Sequence, residues 1–273
     1  MLQKTVLPLS LKETQYKILN MLEAIQDLGT SHVYLVHVLG TDKAGSNSKR
    51  QDKLLQIAHQ VRDQGFECEM YFKTGYVATE VARISNELDA HFISLLWQAK
   101  SALRQAVLGN LLKDIVRQSD LPVFIYKRPS YKAPRLSLNK VLYATDFKRT
   151  DSRVMNYLID SRFQADTLYL LHVGSRAPDP LAEEARRNQV LQNLSRLESE
   201  CSHAYNQIQK LQTVGSIKDQ IVLQAWKHDV DLIILGKFDQ EAPFANLLGS
   251  VAESVPDKAH CSTFIIPGLR QKQ

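Results

Sequence analysis

The sequence has few cysteines and no long apolar run. Its three cysteines, Cys68, Cys201 and Cys261, are odd in number and widely separated, so they form neither a metal-binding spacing nor a disulfide framework. No stretch reaches the roughly 20 consecutive apolar residues of a membrane helix. Lys4 and Lys12 interrupt the first apolar segment, so we expect no signal peptide. These absences predict a protein of the reducing cytoplasm.

Several motifs that carry chemistry are also missing. The sequence contains no Gly-x-x-x-x-Gly-Lys-Ser/Thr phosphate loop and no Gly-x-Ser-x-Gly nucleophile turn. Its eight histidines do not fall in pairs with metal-ligand spacing. His37 and His172 occupy equivalent ends of apolar segments, which favours a shared role in the fold over metal binding. We therefore expect no catalytic residue and no metal site, and at most a weak hydrolytic activity.

The surplus of positive charge is modest and uneven. The net charge is +5, with 18 Lys and Arg against 13 Asp and Glu in residues 1–136, and 16 against 16 in residues 137–273. A nucleic-acid surface would carry a basic stripe with interleaved aromatic residues, and the sequence lacks one. The basic stretch between the halves is either a solvated linker or a patch for an acidic partner; it contains Lys127, Arg128, Lys132 and Arg135.

The two halves of the sequence repeat one pattern. Residues 4–10 and 33–38 correspond to residues 140–146 and 168–173, at offsets of 136 and 135. Later segments correspond at an offset of 140, namely residues 91–96 with 231–236 and residues 122–126 with 262–266. The offset changes by only a few residues over several segments, which indicates one duplication with short loop insertions. We predict one domain at residues 1–130 and a second at residues 138–270.

Each half alternates short apolar runs with helical patterns. Uniformly apolar runs are typical of strands buried on both faces, and their alternation with helices favours a parallel sheet with right-handed crossovers. The predicted apolar helix faces are Leu54, Leu55, Ile57, Ala58 and Val61 in the first half, and Val190, Leu191, Leu194, Leu197 and Cys201 in the second. The sequence thus predicts two tandem α/β domains, each a doubly wound five-stranded parallel sheet. Ligands of such sheets bind beyond the carboxyl ends of the strands.

A glycine pattern follows the fourth apolar run of the second half. The run ends at Gly236, and Gly249-Ser250 follows thirteen residues later, directly before the helical pattern of residues 251–255. Ser250 and Glu253 have the spacing of a capping box, and a helix start with exposed amide groups is a natural anion site. Many such helix starts bind nothing, so a purely structural cap is the alternative interpretation.

Three segments of the second half together resemble the universal stress protein family: Val141-Leu-Tyr-Ala-Thr-Asp146-Phe147, Leu171-His-Val173 and Leu247-Leu-Gly-Ser-Val-Ala-Glu253. The first half is similar to a lesser degree. The resemblance implies a tandem member of that family, with two adenine nucleotide alpha hydrolase-like domains related by pseudo-two-fold symmetry. It implies an intramolecular pseudo-dimer with Phe124 and Phe264 near the contact between the halves, and a possible further homodimer.

The resemblance also implies a nucleotide site. The family's ATP-binding branch carries a glycine, two residues, a glycine, nine residues, and then glycine with serine or threonine. Here the retained motif positions are Gly236, Gly249 and Ser250, while Asp239 replaces the second glycine. Asp146 would lie by the adenine with Thr145, Val173 would offer backbone contacts to the same ring, and Gly249-Ser250 would cradle phosphates. The implied ligand is ATP or another adenine nucleotide, with Mg²⁺.

Two of these positions have alternative interpretations or costs. Asp146 is either a helix N-cap before Phe147 and Lys148 or a cap that also contacts adenine. The carboxylate of Asp239 near a triphosphate would cost about 1–4 kcal/mol. A nearby lysine, Lys237 or Lys148, would offset that repulsion.

The first half has lost most of the motif. Ser10 stands in place of the aspartate, Leu96 and Ala99 replace the two glycines, and Gly109-Asn110 keeps only the last turn. Leu96 and Trp97 would bring bulk where ribose and phosphates approach the backbone. The sequence therefore predicts at most one nucleotide site per chain. Two functions follow, a stress-associated regulator whose second domain binds adenine nucleotide, and a docking module without nucleotide for an unknown protein partner.

Overall fold

The computed structural model describes residues 2–40, 47–97, 111–127, 138–147, 151–160, 165–237 and 251–268. The chain divides into two compact units, Met1–Tyr126 and Lys127–Gln273. The division falls a few residues before the end predicted for the first domain. The predicted limits of 1–130 and 138–270 stay a prediction.

The first unit contains a parallel sheet with helices packed against it. Its strands are β1 (Lys4–Pro8), β2 (His32–Leu39), β3 (Glu67–Thr74), β4 (Phe92–Leu96) and β5 (Val123–Tyr126). Its described helices are α1 (Gln15–Asp27), α2 (Asn47–Asp63), α3 (Val77–Glu87) and α4 (Leu111–Gln118). The strand order is β3-β2-β1-β4-β5, with every pair parallel.

The second unit repeats this plan. Its strands are β6 (Lys140–Thr145), β7 (Thr167–Gly174), β8 (Gln207–Val214), β9 (Leu232–Lys237) and β10 (Ser262–Pro267). Its described helices are α5 (Asp151–Leu158), α6 (Pro180–Cys201), α7 (Ile217–Lys227) and α8 (Val251–Lys258). The order β8-β7-β6-β9-β10 reverses direction at β6, so the carboxyl end of β6 is the topological switch point. The predicted fold class is confirmed.

Burial explains why the strands read as uniform apolar runs. Val141, Leu142 and Tyr143 of β6 are fully buried, because helices cover both faces of the sheet. The residues of the predicted apolar helix faces are buried, except for two equivalent leucines, Leu55 and Leu191, which are 41% and 44% exposed. Each lies one residue after the start of a buried stripe whose members recur every three or four residues. Their apolar character alone did not reveal that they point outward.

Candidate functional site

The predicted site residues that the structure describes meet at the carboxyl edge of the second unit. Thr145 ends β6 and lies opposite His172 of β7, directly before Val173. On the other side of β6, Ala144 pairs with Leu235, directly before Gly236 of β9. Asp146 follows Thr145 and is exposed, whereas Val173 is buried and Gly236 is half-buried. Three neighbouring strands thus bring Thr145, Asp146, Val173 and Gly236 to the switch point.

The other predicted positions lie outside the described residues. These are Lys148, Asp239, Gly249 and Ser250. The helix expected after Ser250 is present, since α8 begins at Val251, with Glu253 buried in its first turn. The N-cap interpretation of Asp146 is wrong, because the next residue, Phe147, has a positive φ of 61° and so is not the first residue of a helix.

A buried carboxylate that sequence reasoning missed is hydrogen-bonded to residues at the end of β6. Asp151 accepts hydrogen bonds from the hydroxyls of Tyr143 and Thr145; the Thr145 Oγ1 atom lies 2.9 Å from each carboxylate oxygen. All three side chains are buried. Thr145 Oγ1 also accepts a hydrogen bond from the Phe147 amide at 2.9 Å. The network therefore ties the end of β6 and the following turn to the first residue of α5.

Burial determines how Asp151 titrates. Desolvation raises the pKa of this carboxyl above its ordinary value, and the hydrogen bonds from Tyr143 and Thr145 oppose that rise without cancelling it. The same burial, together with the nearby Asp151 charge, raises the pKa of the Tyr143 phenol far above its ordinary value. Tyr143 therefore stays a hydrogen-bond donor throughout the physiological range.

We expect the stability of Asp151→Asn relative to the wild type to increase as pH rises. The pKa of the Asp151 carboxyl is higher in the folded chain than in the unfolded chain, where it is about 3.9. The carboxyl therefore stabilises the fold fully at pH values below about 3.9, and this stabilisation is lost as the pH rises through the folded pKa. Asparagine does not titrate. Urea unfolding of both proteins between pH 3 and pH 7 measures the difference. A difference that shrinks with rising pH would mean that the folded pKa is lowered instead.

The turn after β6 is held in an unusual conformation. Phe147 has a positive φ of 61°, which is rare for a residue with a side chain. Its ring stacks on His172 at a centroid distance of 4.5 Å and an interplanar angle of 21°. His172 Nδ1 lies 3.0 Å from the Thr145 carbonyl oxygen. Because a carbonyl can only accept, His172 donates from Nδ1 and holds the turn against β7.

The first unit repeats this turn without the carboxylate network. Leu11 has a φ of 63° at the position of Phe147, and His37 Nδ1 lies 2.8 Å from the Leu9 carbonyl oxygen. Ser10 donates its hydroxyl to Glu13 at 2.7 Å. The two equivalent histidines therefore make the same contact with the backbone of the neighbouring strand, as expected for a shared role in the fold.

The first unit presents a different edge at the switch point. Leu96 ends β4 at the position of Gly236, and the Trp97 amide donates to the Tyr126 carbonyl at 2.9 Å. Both side chains are half-buried. Ala99, Gly109 and Asn110 lie outside the described residues. Leu96 and Trp97, the bulky residues predicted to oppose a ligand, thus lie at the carboxyl end of β4, the strand next to β1.

The described residues offer little reactive chemistry. All three cysteines are buried and outside any disulfide, and burial raises the pKa of the Cys68 thiol to about 11 and of the Cys201 and Cys261 thiols to about 12. Within the described ranges, His, Cys, Asp and Glu side chains form no group of three or more that could hold a metal ion. Among the same residues, no helix combines the length and apolarity needed to cross a membrane.

A shallow groove lies away from the strand ends, on the outer surface between α7 and α8. It encloses about 280 Å³ and is lined by Asp219, Val222, Leu223, Trp226, Lys258 and His260. Trp226 is 71% exposed, and a Lys258–Asp219 ion pair of 2.7 Å crosses between the helices. None of the residues that meet at the switch point lines this groove.

The fold is that of a doubly wound α/β protein in which residues from three strands of the second unit meet at its switch point. The sequence model of the Universal stress protein family matches residues 137–267, and the second unit is a domain of this family. The resemblance found in the sequence is confirmed. None of the curated proteins matches the chain.

Solved structures extend the similarity to both halves. A universal stress protein from Archaeoglobus fulgidus DSM 4304 is similar over 98% of this chain and 97% of its own, with 20% identity and a TM-score of 0.74. A functionally unknown protein from Pseudomonas aeruginosa PAO1 is similar over 98% and 93%, with 16% identity and a TM-score of 0.72. A universal stress protein crystallised in complex with cAMP covers 49% of this chain, with 19% identity and a TM-score of 0.40. The first two likenesses show that both halves of the chain share the fold of these proteins.

Proposed function

We propose that the second unit binds ATP or a related adenine nucleotide, with Mg²⁺, and that the protein is a cytoplasmic stress-associated regulator. The observation that carries this proposal is the convergence of Thr145, Asp146, Val173 and Gly236 at the carboxyl ends of three adjacent strands. An exposed carboxylate, a strand backbone and a glycine are groups that suit the hydroxyl, amino and ring-nitrogen groups of a nucleoside.

The proposed role is binding and not catalysis. The buried thiols stay protonated at neutral pH, so they are poor nucleophiles. Asp151 is fully engaged by two hydroxyl groups at the base of the edge and is 7% exposed, which keeps it from acting on a ligand. A regulator that responds to bound nucleotide needs no further chemistry.

Calorimetric titration with ATP is expected to give one site per chain. Asp146→Ala should weaken ATP and adenosine equally, by about tenfold, because the carboxylate serves the nucleoside and not the phosphates. Ser10→Ala, at the equivalent position of the first unit, should leave both affinities unchanged. Two sites of similar affinity, or an Asp146→Ala variant that binds like the wild type, would contradict the proposal.

The groove between α7 and α8 supports a second candidate function, a docking module for a protein partner. Large apolar residues lie exposed there, and at the positions equivalent to Leu223 and Trp226 the first unit carries Arg83 and Asn86. The fold therefore does not require an apolar surface at this place. A wild-type chain that binds neither ATP nor adenosine would favour this candidate over the nucleotide-binding one.

A further inference from the structure

A guanidinium group lies against the end of β7 with one nitrogen unused. Arg186 of α6 donates from Nε and Nη2 to the two carboxylate oxygens of Glu183, at 2.9 and 2.7 Å. Glu183 also accepts from the Ala177 amide at 2.9 Å, which anchors the pair to the segment between β7 and α6. Hydrogen bonds from Arg186 and Ala177 hold the pKa of Glu183 well below its usual range. The third nitrogen, Nη1, is buried and has no hydrogen-bond partner among the described residues.

Gly174 creates the space in which this nitrogen lies. A Cβ atom on Gly174 would be 3.1 Å from Arg186 Nη1 and 3.3 Å from His172 Nε2. The two nitrogens therefore flank the same bare face of the last residue of β7, directly beside Val173. In the first unit the last residue of β2 is Leu39, which carries a side chain at the position equivalent to Gly174.

The two nitrogens have opposite hydrogen-bonding roles. A guanidinium nitrogen can only donate. His172 uses Nδ1 to donate to the Thr145 carbonyl, so in the neutral ring Nε2 carries a lone pair and accepts. The end of β7 consequently presents one donor and one acceptor side by side.

We propose that Arg186 and His172 select adenine over a 6-oxopurine at this edge, an inference that rests on the proposed nucleotide site. Adenine presents its 6-amino donor next to a ring-nitrogen acceptor, whereas a 6-oxopurine presents a carbonyl acceptor at position 6. The amino group meets His172 Nε2, and the neighbouring ring nitrogen meets Arg186 Nη1. A carbonyl at position 6 faces the His172 lone pair and is rejected.

The first arm of the test uses the wild-type chain and two nucleotides. ITP differs from ATP at position 6, where a carbonyl replaces the amino group, and in the proton on the adjacent ring nitrogen. Calorimetric titration with Mg²⁺ is expected to show ATP binding about tenfold more tightly than ITP. Equal affinities would overturn the selection by His172 and leave the proposed nucleotide site standing. Absence of any ATP binding would overturn both.

The second arm uses two neighbouring arginines. Arg186→Gln removes Nη1 and should weaken ATP about tenfold. Arg187→Gln is the matched control, because Arg187 also donates to Glu183, at 2.9 Å, but is 58% exposed. The control should bind ATP as the wild type does. Equal ATP affinity in both variants would overturn the role of Arg186, and equal wild-type affinities for ATP and ITP would overturn the proposal even if Arg186→Gln folds poorly.

Discussion

Asp151→Ala is expected to cost the second unit about 2–4 kcal/mol of stability. The substitution removes the only carboxylate that accepts from both Tyr143 and Thr145 in the described network, and it leaves two buried hydroxyl groups without that acceptor. Tyr143 is fully buried and cannot turn to water. Loss of the charged acceptor also frees the turn at Phe147, whose amide depends on Thr145. Relief from burying a carboxylate offsets part of this cost.

Urea unfolding of the full chain measures that loss. The matched control is Gln15→Ala, because Gln15 opens α1 at the position equivalent to Asp151 and is exposed. We expect the control to change stability by less than about 0.5 kcal/mol. Tyr143→Phe, which removes one hydroxyl and keeps the ring, should fall between the two. An Asp151→Ala variant as stable as the control would show that the network contributes nothing.

His37→Ala is expected to cost the first unit about 2–4 kcal/mol. The ring is buried, packs edge-on against Phe72 at a centroid distance of 5.9 Å, and donates to the Leu9 carbonyl. Alanine loses the packing and the hydrogen bond together. His37→Phe keeps most of the volume and removes the buried Nε2, which has no partner, so its cost should be about 1 kcal/mol.

The control for His37 is another histidine of the same strand. His32 begins β2, is partly exposed, and pairs with an exposed Glu67 at 2.6 Å. Exposed ion pairs contribute little, so His32→Ala should change stability by less than about 1 kcal/mol. Thermal unfolding followed by circular dichroism gives the order of the three variants. If His32→Ala proves the most destabilising, the proposed structural role of His37 is wrong.

Sequence reasoning reached the duplication and the residues that meet at the strand edge for a physical reason. Strands buried on both faces must be apolar throughout, so the sequence predicts strands at residues 141–143 and 232–235. Once the strands and crossovers are known, the winding direction directs Asp146 and Gly236 to one edge. The glycine spacing then distinguished the second half from the first.

The sequence did not predict contacts that the two halves make with different residue types at equivalent positions. His91 and Asp231 occupy equivalent positions, and each accepts two backbone amides at the start of the neighbouring strand: Gln3 and Lys4 for His91, Asn139 and Lys140 for Asp231. A histidine and an aspartate share no sequence signal, although both offer an acceptor atom at the same point. The N-cap assigned to Asp146 failed for a related reason, since aspartate is common in many turns and only the φ of Phe147 excludes a helix that begins at that residue.

The sequence by itself determined the fold class and the duplication, and it predicted a ligand site at the carboxyl edge of the second unit, because burial and strand periodicity follow from the order of the residues. Only the tertiary structure decided which polar groups meet at that edge. Asp151 reaches Tyr143 and Thr145 across a turn, and Arg186 reaches Gly174 across the crossover from β7 to α6. Hydrogen bonds depend on atom positions to within a fraction of an ångström, and the side chains that make them come from segments with no fixed spacing in the sequence.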